Sequence, residues 1–227
     1  MIPTPSHIVI FSHGFGVRKT DRGLFTAIAG ALPHVKSVMF DYNPTNEASN
    51  TLTAKPLQEQ ALKLRKVINT ARAEYPDAIL DLVCHSQGCV VAGLLKPRGI
   101  RKVIMLTPPD DVREATLVEQ LGTRKGIDID VSVRTRLARA DGSTTVIHSE
   151  YWQGLAGINP VKLYNMLARV TKLCIINAKQ DEVLGKVMFE GIDPAISLVS
   201  LDGNHNFDTE EDRKRLLYIL QKELANS

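Results

Sequence analysis

The feature that most constrains the fold is a repeated alternation of short apolar runs with longer segments of helical periodicity. The runs are mostly continuous rather than alternating, as in parallel strands covered on both faces. The strand candidates are Ile8–Phe11, Val38–Phe40, Ile79–Cys84, Val103–Leu106, Leu173–Ile176 and Ile196–Leu201. Between them, apolar residues recur at steps of three and four, for example from Leu57 to Tyr75 and from Leu216 to Leu224. We therefore predict a doubly wound α/β fold with a mostly parallel sheet of about six strands.

One segment interrupts this alternation. After the strand candidate that ends at Leu106, the chain takes about fifty residues, roughly 108–159, where a crossover needs about a dozen. Within it, the runs 131–140 and 143–151 flank Asp141-Gly142, a dipeptide typical of two-residue hairpin turns. We predict a single domain over residues 1–227, with this segment as a cap-like insertion at the edge of the sheet.

Composition excludes several classes of partner. The chain is 44% hydrophobic and 23% charged, its formal net charge is +3, and its Lys and Arg residues are scattered along the sequence. Nucleic acid is therefore not an expected partner. Three cysteines, an odd number without a CxxC pair, are expected to be buried free thiols of a reducing compartment. The N-terminus shows no signal-peptide pattern or membrane span. No histidine has a partner at the spacing of metal ligands. We predict a cytoplasmic protein without a metal ion or cofactor.

Ser86 stands between a strand candidate and a helical segment. The strand candidate Ile79–Cys84 runs almost directly into Ser86, and helical periodicity begins at Gly88. A serine on a sharp strand-to-helix turn is held above the edge of the sheet, where its hydroxyl is accessible. Such a turn needs small residues two positions to either side, and Cys84 and Gly88 occupy those positions. Ser86 is therefore the candidate nucleophile.

Two segments resemble motifs of the α/β-hydrolase superfamily. Cys84–Gly88 resembles its Gly-x-Ser-x-Gly elbow, with cysteine where glycine is commonest, and Ser12–Gly16 is similar to its His-Gly motif. The resemblance implies an oxyanion hole formed by the backbone N–H groups of Phe15 and Gln87. It covers roughly residues 7–107 and 160–225 and lacks the first two strands usual in the family.

Two further residues complete the resemblance. Asp181 and His205 each follow a strand candidate, and the order Ser, Asp, His is that of the superfamily. The carboxyl ends of parallel strands share one edge, so these residues can converge there. His205 is then the general base for Ser86, and Asp181 orients its imidazole. Asp110 and Asp111 follow another strand candidate, and Asp110 stays an alternative acid.

The resemblance implies a serine hydrolase that cleaves a carboxylic ester or thioester of a small-molecule acyl substrate through an acyl-enzyme. Amidase or carbon–carbon hydrolase activity with the same triad stays open, as does a non-catalytic binding or interaction protein that keeps the fold. In the insertion, Trp152 and Leu155 are candidates for substrate binding, and packing against the core is the alternative use of Trp152. The insertion either covers the pocket or extends sideways as a contact between two copies.

Overall fold

The computed structural model describes residues 5–139 and 141–225. The strands are β1 (His7–Ser12), β2 (Lys36–Met39), β3 (Thr45–Asn46), β4 (Thr51–Ala54), β5 (Ile79–His85), β6 (Lys102–Leu106), β7 (Thr135–Ala138), β8 (Thr144–Ile147), β9 (Lys172–Ala178) and β10 (Ser197–Leu201). The helices are α1 (Leu24–Gly30), α2 (Leu57–Glu74), α3 (Gln87–Leu95), α4 (Glu114–Lys125), α5 (Ser149–Gln153), α6 (Pro160–Ala168) and α7 (Glu210–Ala225), and a 3₁₀ turn spans Asp21–Gly23.

Six strands form the central sheet in the order β10-β9-β6-β5-β1-β2, and every neighbouring pair is parallel. All six arise from the predicted strand candidates, so the predicted parallel sheet is confirmed. β5 lies in the middle, between β1 and β6, and its carboxyl end carries the chain into Ser86. Parallel pairing places the carboxyl ends of β1, β5, β6, β9 and β10 at one edge of the sheet.

Helices cover both faces of this sheet. Successive residues of β1 point to opposite faces, so Ile8 and Ile10 join one core while Val9 and Phe11 join the other. Apolar residues of α2, α3 and α6 fill the first core, and those of α1 and α7 fill the second. Burial on two faces explains why the inner strands β1, β5, β6 and β9 are mostly apolar.

A second sheet, in the order β3-β4-β8-β7, joins the insertion to the segment that follows β2. β7 and β8 are antiparallel on either side of Asp141-Gly142, as the turn dipeptide predicts, although the strands are shorter and Ala140 lies outside the described residues. β8 pairs in parallel with β4, a pairing that the sequence pattern does not indicate. The predicted second strand, 143–151, is wrong at its end, because the chain turns into α5 at Ser149.

Cys84, Cys89 and Cys174 are buried and unpaired, as expected. None of the helices in the described part of the chain has the length and apolar character needed to cross a membrane. A contact between two copies through the insertion stays a prediction.

Candidate active site

Ser86 occupies the sharp turn between β5 and α3. Its backbone has φ 53° and ψ −127°, a conformation that is costly for a residue with a side chain. Hydrogen bonds on both sides hold the turn: the Ser86 N–H donates to the Leu106 carbonyl, and the Ser86 carbonyl accepts from the Cys89 N–H, both at 2.9 Å. Neighbouring structure therefore maintains a strained serine at the carboxyl end of the central strand, the arrangement of a nucleophile elbow.

Gly88 allows the elbow to approach β1. A Cβ atom at this position would lie 2.7 Å from the His13 carbonyl oxygen and closer still to that of Ser12. Only glycine fits such an approach without a backbone shift. The other small residue of the motif, Cys84, is completely buried in β5.

His205 and Asp181 form a hydrogen-bonded pair. The Nδ1 atom of His205 is 2.8 Å from Oδ2 of Asp181, and both side chains are nearly inaccessible to solvent. Oδ1 of Asp181 accepts from the N–H groups of Val183 and Leu184 at 2.9 and 2.8 Å. Burial acts to raise the pKa of Asp181, but the contact with His205 and these two N–H groups hold it below the usual value. The carboxylate is therefore charged at neutral pH and orients the imidazole.

Ser86 and His205 line one cavity, of about 620 Å³. Within the described residues the Ser86 hydroxyl forms no hydrogen bond, so the expected bond to His205 Nε2 is not among the contacts of the structure. The two side chains share a cavity in which an acyl group could meet both, and such bonds commonly tighten only when substrate is bound.

The loop that carries His205 is fixed through its backbone. The carbonyl of His205 accepts from His85 Nε2 at 3.0 Å and from the Thr107 hydroxyl at 3.1 Å, and its N–H donates to a carboxylate oxygen of Glu182 at 3.0 Å. Because a carbonyl can only accept, His85 carries its proton on Nε2. Burial, together with the nearby His205, lowers the pKa of His85 to about 3, so His85 is neutral at ordinary pH.

Sequence reasoning missed these supports. His85 is the variable residue of the pentapeptide, and the sequence pattern provides no signal that its ring reaches the His205 loop. Thr107 follows β6 with a positive φ of 45°, and it also lacks a sequence signal.

The predicted oxyanion residues lie beside Ser86. Phe15 lines the same cavity, and Gln87 is the first residue of α3, where backbone N–H groups carry partial positive charge. Neither N–H donates a hydrogen bond to a described residue.

His13 holds the loop before Phe15. Its Nε2 accepts from the Tyr42 N–H, and Nδ1 therefore donates to the Gly14 carbonyl, each at 3.0 Å. Burial lowers the pKa of His13, which keeps this ring neutral.

The remaining predicted residues are placed elsewhere. Trp152 and Leu155 are 1% and 3% exposed within the core, and neither lines the cavity at Ser86. Asp110 accepts from the Met188 N–H at 2.9 Å and lines a different cavity, which His205 does not line. The insertion reaches the Ser86 cavity through Arg139, Asp141 and Ser143 instead.

Apolar residues and cations form much of the rest of the cavity wall, beside the acidic residues Asp21 and Glu182. The apolar residues are Val17, Leu24, Phe25, Leu52 and Val183, and the cations are Arg18, Lys19 and Arg22. No cluster of three or more metal-ligating side chains occurs among the described residues.

No protein-family model and no curated protein matches the chain. Solved structures do. Est1E from Butyrivibrio proteoclasticus with ferulic acid bound superposes with a TM-score of 0.72 at 17% identity, over 100% of this chain and 92% of that one. The esterase domain of a Rhodothermus marinus protein gives 0.66 at 19% identity, over 96% and 86%. A pyrethroid hydrolase from Sphingobium faniae gives 0.68 at 14% identity, over 97% and 98%.

These similarities extend over nearly the whole chain and include the six-stranded sheet. The chain therefore has the α/β-hydrolase fold, and the predicted fold class is confirmed.

Proposed function

We propose that the chain is a serine hydrolase that cleaves a carboxylic ester or thioester of a small molecule through an acyl-enzyme intermediate. The observation that carries this proposal is the His205–Asp181 hydrogen bond at a cavity that Ser86 also lines. The strained backbone of Ser86 and the open N–H groups of Phe15 and Gln87 add support. Solved structures of the same fold include esterases, which favours an ester over an amide.

In the proposed reaction, the Ser86 hydroxyl attacks the acyl carbonyl carbon while Nε2 of His205 takes the hydroxyl proton. Nε2 is the nitrogen free for this step because Nδ1 contacts Asp181. Negative charge develops on the carbonyl oxygen, and two N–H donors at that oxygen stabilise it, each worth about 3–4 kcal/mol. The bond to the leaving group then breaks, and His205 returns the proton to the departing alcohol or thiol.

Water completes the cycle. His205 takes a proton from a water molecule as that water attacks the acyl-enzyme carbonyl carbon. The Ser86–acyl bond then breaks, His205 returns the proton to the Ser86 oxygen, and the carboxylic acid is released. Asp181 stays charged throughout, holds the useful tautomer of His205 and stabilises the imidazolium. This chemistry requires water and no cofactor.

The cavity suits a small acyl compound. Its volume of about 620 Å³ lies within the range of small-molecule sites, and apolar residues such as Leu52 and Phe25 can contact an acyl chain. The buried, unpaired cysteines fit a reducing compartment, and we place the protein in the cytoplasm as a prediction.

Turnover of p-nitrophenyl esters of graded acyl length tests the proposal. Ser86→Ala should lose nearly all turnover while the Tm changes little, because the side chain is small and borders a cavity. Wild-type turnover in this variant contradicts the assignment of the nucleophile. A wild-type protein that binds acyl compounds without turning them over would instead be a binding protein on this fold.

Two matched variants identify the acid. Asp181→Asn should lower kcat by about 10³–10⁴-fold, since it leaves His205 without a charged partner and favours the wrong tautomer. Asp110→Asn should stay close to wild type, because its carboxylate contacts the Met188 N–H in another cavity. The reverse ranking would move the acid to Asp110.

A further inference from the structure

One side chain of the insertion contacts both residues of the proposed oxyanion hole. The hydroxyl of Tyr151, in α5, donates to Oε1 of Gln87 at 2.5 Å. The ring of Tyr151 also meets the ring of Phe15, with centroids 5.2 Å apart. Tyr151 is only 2% exposed, so both contacts are shielded from water. The contacted residues belong to separate segments, the loop after β1 and the start of α3.

The side chain of Gln87 is held at both ends of its amide. While Oε1 accepts from Tyr151, Nε2 donates to Oε1 of Gln60 in α2 at 3.2 Å. Gln60 in turn donates through Nε2 to the Lys55 carbonyl at 2.7 Å. Gln60 and Gln87 are both buried. A buried chain of satisfied hydrogen bonds fixes its members in one arrangement, because each lost partner leaves a polar group unpaired in a low-dielectric interior.

The insertion holds the Phe15 segment through a second residue. Nη2 of Arg139 donates to the carbonyls of Phe15 and Gly16, both at 2.7 Å, and its guanidinium lies 5.6 Å from the centroid of the Phe15 ring. The Thr145 hydroxyl donates to the Gly16 carbonyl at 2.8 Å. The backbone that presents the Phe15 N–H is therefore anchored to the second sheet.

We infer that Tyr151 is a positioning residue, which sets the placement of the Phe15 and Gln87 N–H groups relative to each other. The inference rests on the proposed function and assigns the insertion a role in supporting the oxyanion hole. Two donors stabilise one oxygen only when both point at its position, and a displacement of about 1 Å can cost about 100-fold in rate. Tyr151 contacts the side chains of both donor residues, Phe15 and Gln87.

Tyr151→Phe separates the hydrogen bond from the ring contact, because phenylalanine keeps the ring. We expect kcat for a p-nitrophenyl ester to fall by about tenfold while KM changes less than twofold, as for a contact that matters in the transition state. Tyr164→Phe is the matched control. Tyr164 is also fully buried, and its hydroxyl donates to the Pro109 carbonyl at 2.8 Å, outside the Ser86 cavity. This control should lose similar thermal stability and keep wild-type kcat.

A boronic acid provides a second readout, because it forms a tetrahedral adduct with an activated serine that resembles the charged intermediate. Tyr151→Phe should weaken inhibition by a phenylboronic acid by about the same factor as it lowers kcat, and the Tyr164→Phe control should not. If Tyr151→Phe does not fold, Gln60→Leu removes the other partner of the Gln87 amide and should lower kcat in the same way.

Unchanged kcat and boronate affinity in a folded Tyr151→Phe enzyme would overturn the inference. Equal losses in Tyr151→Phe and Tyr164→Phe would also do so, since they would mean a loss of packing only. Either result, with wild-type turnover that depends on Ser86, leaves the proposed function intact. Absence of Ser86-dependent turnover in the wild type refutes both.

Discussion

Gly88→Ala adds one methyl group at the closest approach between the elbow and β1. The new Cβ would lie 2.7 Å from the His13 carbonyl oxygen and nearer still to the Ser12 carbonyl oxygen. Both atoms belong to the backbone, so no side chain can turn aside. The Gly88 carbonyl also accepts from the Ser12 hydroxyl at 3.0 Å, which holds the two segments together from the other direction. α3 must therefore move away from β1, or β1 must bend.

Overpacking of this kind costs about 1–3 kcal/mol in a well-packed interior. Since both clashing atoms are backbone oxygens, we expect a value near the top of that range, about 3 kcal/mol. For a chain of this length, each kcal/mol corresponds to about 2–4 °C in Tm. The shift also displaces the start of α3, so kcat should fall with stability.

Urea unfolding measures the change in stability as a shift of the transition midpoint, provided that the dependence of the unfolding free energy on urea concentration is unchanged. The control is Gly30→Ala, at the last residue of α1, where an added Cβ would meet no heavy atom within 4 Å. That variant should gain up to about 0.5–1 kcal/mol, because alanine loses less backbone entropy than glycine in a helix. Glycine-to-alanine substitution should thus lower the stability at position 88 and raise it at position 30. A Gly88→Ala midpoint equal to that of the wild type would refute the reasoning.

Two other expectations concern the surroundings of the site. His85→Gln should reduce the loss of stability in acid. The pKa of His85 is about 3 in the folded state and 6.5 in the unfolded state, so this group costs the wild type up to about 1.4 kcal/mol of stability per pH unit as the pH falls below 6.5. Urea unfolding midpoints that fall equally in both proteins between pH 7 and pH 4 would contradict this expectation. Trp152→Phe should lower the free energy of unfolding by about 1–3 kcal/mol without changing the relative rates for esters of different acyl length, because Trp152 is buried and does not line the cavity. A changed acyl preference at an unchanged Tm would show that Trp152 contacts the substrate.

The central sheet is predictable because its signal is local. The inner strands β1, β5, β6 and β9 are short, mostly apolar runs, because burial on two faces imposes that composition on them. In the second sheet, the β7–β8 hairpin has a local signal in Asp141-Gly142, but the pairing of β4 with β8 has none. β4 spans only Thr51–Ala54, and its partner β8 lies about ninety residues further along the chain.

The second strand of the hairpin ends earlier than predicted for a specific physical reason. Tyr151 and Trp152 are adjacent, and both are buried. On a strand they would face opposite sides, whereas on a helix they are about 100° apart and can both reach the core. The chain therefore turns into α5 before this pair.

For the site, the sequence indicates the positions of Ser86, Asp181 and His205, because each follows a strand whose carboxyl end lies at the shared edge. Contacts that depend on how separate segments dock are not predictable in this way. The bond from Tyr151 to Gln87 joins residues 64 positions apart, and that from His85 to the His205 carbonyl joins residues 120 apart. Neither pair leaves a periodicity or spacing in the sequence.

The parallel pairing of β4 with β8 has a consequence for the order of events during synthesis. About ninety further residues are synthesised after β4 before its partner β8 exists, which takes roughly 5–20 s at ordinary elongation rates. By then β1, β2, β5 and β6 have already emerged. The second sheet, together with the contacts that it makes to the Phe15 loop, therefore cannot form until those four strands of the central sheet have been made. The residues of the Ser86 turn are synthesised before Arg139, Thr145 and Tyr151, whose side chains contact Phe15 and Gly16.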